Sequence, residues 1–73
     1  MNGRPGHPSV VLNGAAHEHH GQGTIRSLVD EVAEKPEQVA VVLNEHVVPR
    51  ARWGSTGIHD GDRIELVTFA GGG

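Results

Sequence analysis

Three glycines, Gly71, Gly72 and Gly73, follow Phe69 and Ala70 with no charged residue between. Glycine has no Cβ, so a tail of this kind is expected to be flexible and thin enough to enter a narrow tunnel. From Phe69 to Gly73 the extended chain would reach roughly 17 Å, at about 3.3–3.6 Å per residue. The group it would deliver is the carboxylate of Gly73, a poor electrophile until activated. A frayed end or a cloning remnant would look the same if the tail stood alone. Beside it, Val67 and Phe69 alternate with Leu66 and are candidates for docking a partner, or else for core.

A second cluster is His17, His19 and His20. His17 and His19 share one face if the segment is a strand. Closed metal sites want four ligands and there is no cysteine to contribute, so the histidines are read as solvated surface and no metal is expected. Asp60 and Asp62 flank Gly61 and fit a turn better than a catalytic carboxylate pair. Trp53 reads as the packing anchor of an irregular loop. Arg50 and Arg52 are either surface charges or contacts for an acidic partner.

These residues need elements to hold them. Seventy-three residues make one domain, and such a chain buries only about 60% of its unfolded surface. That leaves no walls for a deep catalytic cleft. Trp53 and Phe69 are the only large aromatics, so the core must rest on Val, Leu, Ile and Ala. The formal charge of -3, with acidic residues spread along the chain, gives no basic run for nucleic acid. No apolar run approaches the roughly 18 residues of a membrane helix, and Met1 to Pro8 lacks the apolar stretch of a signal peptide. The expected address is cytoplasmic.

Residues 1–8, with two Gly and two Pro, read as a disordered arm. Ser9 to Asn13 reads as a strand ended by the hairpin pair Asn13-Gly14, and Ala15 to His19 would be its returning arm. Thr24 suits a helix N-cap. Ile25, Leu28, Val29, Val32 and Ala33 then form one helical stripe. The helix is expected to run to about Lys35, whose charge would complement its C-terminal end before Pro36. Val39–Leu43 is an unbroken apolar run, expected as a central strand covered on both faces. After Asn44-Glu45, a short strand covers His46 to Val48 and Pro49 stops it. Arg50 to Gly57 is irregular. The last strand runs from Arg63 to Phe69, with Ile64 and Leu66 on one face and Glu65, Val67 and Phe69 on the other. One helix across a mixed sheet of four to five strands is an α+β layer pair, with the domain at 9–69 and the tail at 70–73.

Asn44-Glu45-His46-Val47-Val48-Pro49-Arg50-Ala51-Arg52-Trp53, then Asp60-Gly61-Asp62-Arg63-Ile64-Glu65, then Gly72-Gly73, resembles the thiamine-biosynthesis sulfur-carrier family. Val10 to Gly14 and the helix opening at Thr24-Ile25 fit the same order, so the resemblance runs from about Val10 onward. Gly71 departs from the alanine common there, and the histidine-rich stretch is not part of the pattern. The resemblance implies a ubiquitin-like β-grasp fold and a carrier that is not itself an enzyme. It implies that an E1-like adenylyltransferase, using ATP, activates the Gly73 carboxylate. A sulfur-donating persulfide protein would then convert it to a thiocarboxylate, which gives its sulfur to thiazole synthase. No bound cofactor is implied, and the free carrier is expected to be a monomer. Two alternatives share the fold: the small subunit of molybdopterin synthase, which usually has a proline pair before its tail, and a ubiquitin-like modifier or binding module.

Overall fold

The computed structural model describes residues 7–69. The arm before His7 and the tail from Ala70, with the candidate residues Gly71, Gly72 and Gly73, lie outside the described residues. The elements are β1 (Ser9–Leu12), β2 (Ala15–Glu18), α1 (Ile25–Val32), β3 (Val39–Leu43), β4 (His46–Val48) and β5 (Arg63–Thr68), with 3-10 turns at Pro36–Gln38 and Arg50–Ser55. The strands form one sheet in the order β2-β1-β5-β3-β4. Only β1 and β5 are parallel; β1–β2, β3–β4 and β3–β5 are antiparallel. This is the mixed α+β sheet expected, in its five-stranded form.

The last strand is therefore the central one, and two asparagines hold it there. Both hairpin loops have two residues with positive φ, Asn13 (50°) with Gly14 (83°) and Asn44 (49°) with Glu45 (73°). That is the type I′ geometry that matches strand twist. Each asparagine then takes a backbone N–H of β5: Arg63 donates to Asn44 Oδ1 and Leu66 to Asn13 Oδ1, both at 2.9 Å. The side chains satisfy β5 donors where the neighbouring strands stop.

Helix α1 begins at a capping box in which Thr24 and Ser27 exchange side-chain and backbone hydrogen bonds, each 3.1 Å. It ends at Val32 because Ala33 is extended (φ -92°, ψ 129°). Pro36 opens its own 3-10 turn, and Lys35 before it is also held off helical geometry (φ -129°, ψ 85°). The helix is thus shorter than the stripe suggests, and Lys35, expected at its C-terminal end, instead precedes the Pro36–Gln38 turn, where its carbonyl accepts the Gln38 N–H at 2.9 Å. Ile25, Leu28 and Val29 are wholly buried, while Val32 lies 37% exposed at the rim.

The core joins these three to Val10, Val39, Val41, Val48, Trp53, Ile58 and Ile64. Strand β3 is covered on one face only: Val39 and Val41 are buried, while Ala40 and Val42 are partly open. A single helix can cover only one side of the sheet. Trp53 anchors its 3-10 turn as expected, 1% exposed, with Nε1 donating to the Val48 carbonyl at 3.0 Å. Arg50 lies 4.4 Å above its ring.

Candidate functional site

Strand β5 carries the described chain to its last residues. Along β5, strand β1 reaches only Arg63 and Ile64, whereas β3 accompanies it as far as Thr68, opposite Val39. The Phe69 N–H donates to the Gln38 carbonyl at 3.0 Å, fixing the point from which the chain leaves. Below this exit, on the helix side, Leu12, Val32, Lys35, Gln38, Leu66 and Thr68 border an open groove of about 580 Å³.

On the opposite face the strand register collects apolar side chains. Val67 stands across from Ala40, and Val42 lies opposite Val47. Val47, Val67 and Phe69 are exposed by 70%, 52% and 49%. Sequence alternation puts Val67 and Phe69 on the open face, and the structure bears that out. It did not find Ala40, Val42 and Val47, which extend the patch across β3 and β4. The two-residue loop at Asn44-Glu45 carried the signal, because it sets Val42 against Val47 by counting. Glu65 and the Arg63–Glu45 pair (3.3 Å) give the patch a polar margin.

Asp60 and Asp62 do structural work. Asp60 Oδ1 accepts the Ser9 N–H at 2.7 Å. Asp62 accepts from the His59 N–H at 2.8 Å and from Asn44 Nδ2 at 3.0 Å. They bind the turn around Gly61 (φ 87°) to the sheet.

The histidines are not uniformly solvated. His20 is half exposed, but His19 is fully buried. His19 Nδ1 lies 2.6 Å from Glu31 Oε1 and its Nε2 lies 2.8 Å from Ser27 Oγ. His17 Nε2 approaches the same Glu31 oxygen at 3.4 Å. A Cβ on Gly21 would come within 2.7 Å of the His19 ring, so that position admits only glycine without displacing the ring. Partial burial disfavours ionisation of Glu31, but the hydrogen bonds from His19 and His17 and their positive charge outweigh it and hold the carboxyl below its usual range. His7 and Pro8, which composition places in the arm, touch this end of the sheet. The His7 ring lies 4.7 Å from that of His20, and the Pro8 carbonyl accepts the His19 N–H at 2.9 Å.

Among the described residues no helix is long and apolar enough to cross a membrane. The family model of the ThiS family matches residues 10–73. The sulfur carrier protein ThiS of Escherichia coli K12 is 27% identical over 64 residues, covering 88% of this chain and 97% of that protein. A thiazole synthase of Paramagnetospirillum magneticum is 33% identical over 64 residues. The chain spans only 20% of that synthase's length. The crystal structure of the thiamine biosynthesis protein ThiS from Geobacter metallireducens superposes with a TM-score of 0.72 at 32% identity, covering 89% of this chain and 99% of that one.

Proposed function

The chain belongs to the ThiS family, and from that premise we propose that it is a sulfur carrier of thiamine biosynthesis working through the carboxylate of Gly73. The observation that carries the reading is similarity along nearly the whole length of a sulfur carrier protein, joined to a patch and groove flanking the strand that leads into the tail. The carboxylate attacks the α-phosphorus of ATP on an E1-like adenylyltransferase and pyrophosphate leaves. A persulfide sulfur then displaces AMP from the acyl carbon. A second thiol cleaves the resulting acyl disulfide, taking the donor's sulfur and freeing the thiocarboxylate. The carrier is the substrate of these steps, and ATP belongs to the activating enzyme. Similarity to a stretch of a protein named thiazole synthase supports that enzyme as the acceptor.

The test is intact mass after incubation with the activating enzyme, ATP and a sulfur source. Wild type should gain the mass of one sulfur for one oxygen. Deleting Gly73 withdraws the reacting carbon by about 3.3–3.6 Å, and a misplacement of only 1 Å can cost on the order of a hundredfold. The deletion should keep the fold, since the described core ends at Leu66, and lose thiazole synthesis. A deletion variant as active as wild type overturns the reading. A product heavier by a whole protein would mean conjugation instead.

A further inference from the structure

The side chains that tie β2 to α1 have the composition and spacing of a metal site. His17 lies near the end of β2 and His19 just beyond it, two residues on, and Glu31 faces them from α1. One ligand atom from each lies within 4.8 Å of the other two. Around a tetrahedral ion with bonds of about 2.0–2.1 Å, neighbouring ligand atoms stand roughly 3.3–3.4 Å apart. The His17 Nε2 to Glu31 Oε1 distance is already 3.4 Å. The 2.6 Å contact between His19 Nδ1 and Glu31 must open by under 1 Å, and the two histidine nitrogens, within 4.8 Å of each other, must close by up to about 1.4 Å; the partly exposed Glu31 and His17 side chains are the ones free to move.

The surroundings of His19 suit a ligand better than a simple ion pair requires. A neutral imidazole that coordinates through Nδ1 carries its hydrogen on Nε2, and metal-bound histidines nearly always donate that hydrogen to a fixed acceptor. Ser27 Oγ stands 2.8 Å from Nε2 and donates its own hydrogen to the Thr24 carbonyl at 2.9 Å. Its lone pairs therefore remain for the imidazole and the Thr24 N–H. Gly21 leaves the room the ring occupies, since a Cβ there would come within 2.7 Å of it. His19 is wholly buried, whereas the His17 and Glu31 side chains are 26% and 33% exposed. The site thus opens on one side, where water would complete the coordination of a bound ion.

We propose that His17 Nε2, His19 Nδ1 and Glu31 Oε1 bind a divalent transition-metal ion of the Zn²⁺ type, fastening the β1–β2 hairpin to the helix. The role is structural. His17 pairs with Val10 and Val11 with Arg63, so the site lies about seven residues from Phe69 along the sheet, roughly 23 Å at strand rise. Small domains commonly draw added stability from a metal or a disulfide, and this chain has no cysteine.

Calorimetric titration with Zn²⁺ and visible absorption with Co²⁺, on the full chain freed of metal, test the proposal. One ion should bind per chain and raise the melting temperature. His17→Ala and Glu31→Gln should each weaken binding by at least about tenfold, the lower end of what losing even an outer-shell partner costs. His20→Ala and His46→Ala should leave affinity unchanged. His19 is kept, because emptying its buried site would confuse binding with folding; circular dichroism checks the fold of the other variants. No binding by wild type in excess metal overturns the proposal. So does binding that survives both ligand substitutions, or that falls equally in the controls. Thiocarboxylate formation by metal-free protein should be unaltered, which separates failure here from failure of the carrier reading.

Discussion

Leu28→Ala measures how much of the fold depends on the single helix. Leu28 is wholly buried between Ile25 and Val29 of α1 and the helix-side residues Val10, Val41 and Ile64 of the sheet. Its truncation leaves a cavity that strands held in register cannot collapse to fill. For such fully enclosed leucines the loss is about 2.7–5.0 kcal/mol. A domain of this length holds about 4–11 kcal/mol in total, at roughly 0.05–0.15 kcal/mol per residue. The variant should therefore lose a quarter of its stability at least, and more than about 10 °C in melting temperature. Trp53 is the only tryptophan and is 1% exposed, so its fluorescence during urea unfolding reports the whole domain. Val32→Ala is the internal control. At 37% exposure on the same helix it should cost under about 1 kcal/mol. If the Leu28→Ala midpoint shifts no further than that of Val32→Ala, the helix is not the lid of this core and the packing described is wrong.

Two further outcomes follow from the surface. Glu31 titrates below its usual value in the fold, so its contribution is full above the ordinary glutamate range and is lost as pH falls through the lowered folded value. Wild-type stability should therefore drop below about pH 4.5, and Glu31→Gln should flatten that part of the urea-midpoint profile; an unchanged slope would refute the linkage. Val47→Asp and Phe69→Asp change exposed positions and should leave stability within roughly 0.5 kcal/mol of wild type. Both should raise the KM of the activating enzyme for the carrier, whereas Arg26→Ala on the helix should not. Equal KM values for all three would remove the patch as a docking surface.

Sequence made the local elements legible where one physical cause dominates. Asn13-Gly14 must turn, Thr24 must cap, and Val39–Leu43 is too apolar and too short to be a solvent helix; all three hold in the structure. Coverage is less legible. An unbroken run of apolar residues suits a strand buried on both faces, yet one helix has only one side of the sheet to cover. Ala40 and Val42 are accordingly partly open, and with Val47 and Val67 they make the patch beside the tail's root. The helix ends before its periodicity does, for a related reason. Periodicity continues through Val32 and Ala33 without saying where backbone geometry changes, and Pro36 constrains Lys35 but not the residues before it.

The burial of His19 shows how register carries information that residue type does not. A histidine in a run of polar residues is ordinarily solvated, and composition offers no reason to think otherwise. Counting from the loop does. If Asn13-Gly14 is a two-residue turn, Ala15 faces Leu12 and His17 faces Val10. Directly opposed residues share a face, and Val10 belongs to the core, so His17 lies on the helix side and His19, by alternation, follows it there. The helix supplies the complementary half. Ser27 and Glu31 are four residues apart, one above the other on the flank adjoining the stripe of Leu28. A polar i,i+4 pair on the edge of an apolar stripe, opposite two inward histidines, is a partly buried network written into the chain in two separate places. The network closes because the hairpin and the helix settle on the same register, and that agreement gives His19 a partner for each nitrogen within 2.8 Å.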